Sequence, residues 1–159
     1  SIITLMAIAM LFPITAFAQA YVQTWDLVDS GKHLDYDGNS TYMSYINTGA
    51  ATWNAYKSGV IRKDSAFVVE DVYVSDVNAS NGWAGMTYSS GKIELNTYYM
   101  SGYSNSKKQN VATHELGHAL GLDHSTSTDV MDAAITGHTS TQALSQNDKD
   151  SYDAAYNNY

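Results

Sequence analysis

Apolar and polar side chains follow two spacings along this chain, one of two residues and one of three to four, and the changes between them mark out elements. Residues 21–28 alternate loosely and predict a first strand. The next stretch, Asp35-Tyr36-Asp37-Gly38-Asn39, is rich in turn formers and reads as a plain turn. Its oxygen-bearing side chains at alternate positions suit calcium, but the downstream glutamate of an EF-hand loop is missing. From Ser40, a helix-capping residue, Tyr42, Ile46, Ala50, Trp53 and Tyr56 recur at helical spacing as far as Gly59. That pattern predicts a helix with one buried face. Residues 67–74, rich in valine and aromatic side chains, predict a central strand, and 84–89 and 92–96, joined by Ser90-Gly91, predict a hairpin. Ser106 and Gln109 have capping-box spacing and predict a helix that begins just before Val111. Residues 133–143 show no period. Ser145 and Asp148 then cap a last helix on which Tyr152, Ala155, Tyr156 and Tyr159 share a face.

The N-terminal stretch has a different character. Residues 2–12 form a mostly apolar run, followed by Pro13 and Ala16-Phe17-Ala18, a small-x-small cleavage pattern. The run is shorter than the ~20 apolar residues that span a bilayer. Residues 1–18 are therefore expected to be a signal peptide, truncated at its start, and 19–159 a single secreted domain. A length of 159 residues supports one modest core. Without cysteine there is no disulfide framework, so stability must come from the core and from bound ions. Sixteen acidic against eight basic residues give a net charge of −8, and no basic run interrupts it. Nucleic acid and anionic membrane surfaces are excluded as expected partners.

Within the helix expected near Val111 lies the chemistry. His114 and His118 are four residues apart and stand on one face, which suits two ligands of one metal. Glu115 is poorly aimed for a third ligand but well placed to act on a water as general base. His124 lies six residues past His118, so the chain must bend before it can converge. Gly121, which adopts the left-handed conformation cheaply, supplies the bend, and Leu122 is then expected to pack back on Leu116. Three neutral imidazoles leave a tetrahedral zinc one open position, the arrangement of a catalytic site.

The pattern H-E-x-x-H-x-x-G-x-x-H, filled here from His114 to His124, resembles the zinc signature of the metzincin metallopeptidases. Ala51-Thr52-Trp53-Asn54 and Leu144-Ser145-Gln146-Asn147-Asp148 are similar to segments of the matrixin branch. The resemblance implies an α+β fold: a twisted mixed sheet of four or five strands, three helices, and a zinc cleft between upper and lower subdomains. It implies a methionine turn beneath the metal, with Met131 in Asp129-Val130-Met131-Asp132 as the candidate. It also implies that Trp83, Ala84 and Gly85 belong to an edge strand where an extended peptide adds as one more strand, and that residues 133–143 wall the neighbouring pocket. The activity implied is that of a secreted, monomeric endopeptidase with one Zn2+, in which Glu115 serves as base and then acid. Three alternatives stand beside it: a hydrolase of cell-wall peptides or amides, an inactive zinc-binding module, and a site filled by copper, nickel or iron. The chain departs from some relatives of the family. Ala133 stands where astacin-like members carry tyrosine, and residues 71–96 hold no histidine cluster for a second zinc. His33 and His138 are assigned surface or core duties.

Overall fold

The first strand is not where the alternation places it. In the computed structural model, which describes residues 19–65 and 69–159, β1 runs Leu34–Gly38, through the segment read as a turn. Residues 21–28 contribute only an isolated bridge, Val22 to Leu122. The reason lies 27 residues away: Asp35 is buried in the sheet because the Arg62 guanidinium, on β2 (Ile61–Lys63), donates to both carboxylate oxygens at 2.8 and 2.6 Å. A buried charge is tolerated when it is paired in this bidentate way. Leu34 and Tyr36, on the opposite face of the strand, enter the core.

β3 (Val72–Val77), β4 (Gly85–Tyr88) and β5 (Lys92–Asn96) complete a mixed sheet in the order β2-β1-β3-β5-β4. Its pairs are parallel except for β4, which runs antiparallel to β5 and leaves its outer side unpaired among the described residues. The hairpin is as predicted. The central strand starts later than predicted, because Val69 is 84% exposed, while the part of the expectation that falls on 66–68 lies outside the described residues, as does the signal peptide expected over 1–18.

Three long helices accompany the sheet among the described residues: the first two pack against it, and the last sets Tyr152 against Trp53. α1 (Met43–Asn54) buries Ile46, Ala50 and Trp53, the predicted face, although its N-cap is Tyr42 and Ser40 lies outside it. Tyr56 falls beyond its end. A short helix, α2 (Thr97–Met100), which the pattern did not foretell, is capped by Asn96. α3 (Asn105–Ala119) begins earlier than predicted: Ser104 accepts from the Lys107 N–H, and Gln109, expected in a capping box, instead donates to the Tyr45 carbonyl and Thr113 Oγ1. The Trp53 indole N–H donates to the Thr113 carbonyl at 2.9 Å and locks α1 against α3. α4 (Gln146–Asn158) carries both bonds of the predicted Ser145 and Asp148 capping box. The fold is α+β, and α3 passes beside the edge strand β4.

Candidate active site

α3 sets the His114 and His118 rings one turn apart, with centroids 4.7 Å from each other. The helix then stops as the glycine requires. Gly121 has φ +86°, its N–H donates to the His118 carbonyl at 2.9 Å, and the Leu122 N–H donates to Gly117 at 3.0 Å. Those two bonds define a Schellman turn, and Leu122 is buried in the same cluster as Leu116. Two further carbonyls at the helix end are taken by the segment that failed to become a strand, Gln23 N–H donating to Gly121 and Leu27 N–H to Ala119, while the Tyr159 hydroxyl donates to Leu120. Asp123 N–H in turn donates to Tyr21, so residues 21–27 strap the turn in place. His124 returns to within 4.8 and 5.2 Å of the other two rings, and its Nε2 lies 3.2 Å from that of His118.

Hydrogen bonds decide which ring nitrogens are free. His114 Nδ1 lies 2.8 Å from the Val130 carbonyl and His118 Nδ1 2.8 Å from that of Leu122, so both Nδ1 atoms donate and both Nε2 lone pairs are left open. Burial, and then the neighbouring His118, push the His114 imidazolium down to about 3, and burial lowers His118 as well, so both rings stay neutral. Atoms bound at ~2.0–2.1 Å around one tetrahedral zinc stand roughly 3.3 Å apart. The three imidazoles fit that ion. Gln23, which no local pattern singled out, completes the setting: its amide lies 2.9 Å from His118 Nδ1, and a buried Oε1 lacks a partner.

Met131 is buried in the predicted turn, beside Gly117 of α3. A Cβ on Gly117 would meet its Sδ at 2.3 Å and Trp53 Cζ2 at 2.9 Å, so only glycine lets the methionine turn lie against α3. Asp148 of α4 accepts the Val130 and Met131 N–H groups at 2.9 and 3.1 Å as well as closing its own cap. The last helix therefore anchors the turn whose carbonyl orients His114. Sequence reasoning missed both roles, although a glycine inside a regular helix costs ~1 kcal/mol and so asks for a reason. Gly117→Ala is expected to destabilise the fold by about 1–3 kcal/mol through overpacking. An unchanged thermal midpoint would show that Met131 moves aside freely.

Glu115 follows His114 and is only 5% exposed. Burial raises its carboxyl to about 7, opposed by the hydrogen bond from the Thr87 hydroxyl at 2.7 Å. Glu115 and the three histidines line a cleft of about 380 Å3 together with Trp83, Ala84 and Gly85 on one side and Ala133, Ile135 and Thr136 on the other. The structure thus brings together every residue singled out for metal, base and substrate. His138 stands apart, 2.8 Å from Asp132, and His33 lies beside Asp29 at 3.8 Å. Calcium has no support in the 35–39 segment, which is mostly strand. Asp29, Asp35 and Asp71 do approach one another, but Asp35 is already paired with Arg62 and Asp71 accepts the Asp35 N–H at 2.8 Å.

The sequence profile of the matrixin peptidases matches residues 15–157. The chain belongs to the matrixin family. Archaemetzincin from Methanopyrus kandleri shares its fold, with a TM-score of 0.57 at 12% identity over 82% of this chain and 99% of that one. High choriolytic enzyme 1, a hatching enzyme zinc-protease of the medaka fish Oryzias latipes, aligns at a TM-score of 0.48 and 14% identity over 84% of this chain and 94% of its own. No curated protein sequence matches the chain. This matrixin is thus a metzincin-like zinc metallopeptidase by family, with the five-stranded mixed sheet implied by the resemblance. Among the described residues its four α-helices are one more than implied, the addition being the single turn α2.

Proposed function

We propose that this matrixin is a secreted endopeptidase that cuts internal peptide bonds of an extended substrate. The observation that carries the reading is the meeting of three imidazoles with one buried carboxylate in a cleft bordered by an edge strand. His114, His118 and His124 would hold the zinc. When bound, it supplies a Lewis acid for the scissile carbonyl and lowers the pKa of water to about 7. Glu115 takes the proton of the attacking water and passes it to the leaving amine, acting as base and then acid. The free side of β4, with Trp83, Ala84 and Gly85 at its start, pairs with the substrate main chain, while Ala133, Ile135 and Thr136 receive the side chain beyond the cut. In this reading residues 1–18 direct export, 19–159 form the catalytic domain, and the enzyme works outside the cell as a monomer.

Incubating the purified protein with a proteome-derived peptide library, with and without a chelator, tests the reading. Cleavage at internal bonds that stops on chelation and returns with zinc is the expected result. Cleavage of purified peptidoglycan with casein untouched would redirect the assignment to cell-wall peptides, and no cleavage by zinc-loaded protein would refute catalysis.

A further inference from the structure

The edge strand has a second side, and that side touches the base. Gly85 and Thr87 are two residues apart on β4, so they share a face, and both meet the Glu115 side chain. Thr87 Oγ1 lies 2.7 Å from Glu115 Oε2, and no residue other than Thr87, through its hydroxyl first and its backbone second, hydrogen-bonds that carboxylate among the described residues. A Cβ on Gly85 would stand 2.6 Å from Oε1 and 2.7 Å from Cγ, so the strand backbone presses on the same group. The strand cannot drift along β5, because Gly85 is registered against Leu95 and Thr87 against Ile93, both in the core. Thr87 is itself buried and offers its hydroxyl to the Glu115 backbone carbonyl at 3.0 Å as well.

From this geometry we infer that Thr87 is a positioning residue: its hydroxyl, carried by the edge strand, fixes the orientation of the Glu115 carboxylate for proton transfer. The inference rests on the reading of Glu115 as base and acid. A carboxyl group buried without a partner would swing among rotamers or turn away from the reacting water, and the loss would fall on the chemical step. A hydroxyl both donates and accepts, so it satisfies the carboxyl group in each half of a base-then-acid cycle. When it accepts from the carboxyl, its own proton goes to the Glu115 backbone carbonyl. Serine keeps that capacity and valine, of nearly the same shape, lacks it.

Thr87→Val, Thr87→Ser and Glu115→Gln are to be compared with the parent protein in zinc content, kcat and KM on one cleaved peptide. Thr87→Val is expected to lose about 10- to 100-fold in kcat, the usual effect of removing an orienting partner, with KM within about twofold and zinc stoichiometry unchanged. Thr87→Ser is expected to recover most of the loss. A crystal structure of the valine variant should show the Glu115 carboxylate rotated away from its parent position. Parental kcat in Thr87→Val beside an inactive Glu115→Gln would overturn the positioning role alone, as would equal losses in the valine and serine variants. Parental turnover in Glu115→Gln would instead overturn the reading beneath it.

Discussion

Glu115→Gln is expected to lower turnover by about 100- to 10,000-fold while zinc remains bound, the range that a positioned acid or base contributes. Glutamine has nearly the shape of glutamate, so it keeps the contact with Gly85 and can still bond Thr87 through its amide. It does not accept a proton from water at neutral pH. His114 is oriented by Val130 and His118 by Leu122 and Gln23, none of them through Glu115, so the metal should stay. Elemental analysis beside single-substrate kinetics separates the two effects. Near-parental kcat with full zinc would remove Glu115 from the mechanism.

His118→Ala is expected to abolish zinc retention and activity together. It deletes the middle ring of the three, the one 4.7 Å from His114 and 4.8 Å from His124, and leaves two imidazoles that underfill the site. It also strips the Leu122 carbonyl and the Gln23 amide of the group they share. The parent should therefore gain thermal stability on zinc addition, since a ligand that binds only the folded state stabilises it, and the variant should gain none. Full metal occupancy in His118→Ala would show that the ion is held elsewhere.

These expectations draw on two kinds of information. The spacing of His114, His118, Gly121 and His124 already implies the bent helix end, because helical geometry and the tolerance of glycine for φ +86° are local properties. The same holds for the buried stripe of Ile46, Ala50 and Trp53 and for the box formed by Ser145 and Asp148. Misreadings arose where a local pattern admitted two partners. Residues 21–28 alternate like a strand, yet their N–H groups pair with the end of α3, and Asp35 looks like a turn former until Arg62 meets it. The cap expected at Ser106 falls instead on Ser104, whose side chain accepts from the Lys107 N–H.

By itself the sequence determined the candidate ligand set, the candidate base and the turn that makes convergence feasible, since each follows from periodicities spanning a few residues. Tertiary structure alone decided what surrounds them: Gln23 against His118, 95 residues away, Thr87 against Glu115, 28 residues away, and Asp148 against the methionine turn. The physical reason is that a buried polar atom needs some partner, and local pattern can reveal that need without naming the distant residue that the fold brings to meet it.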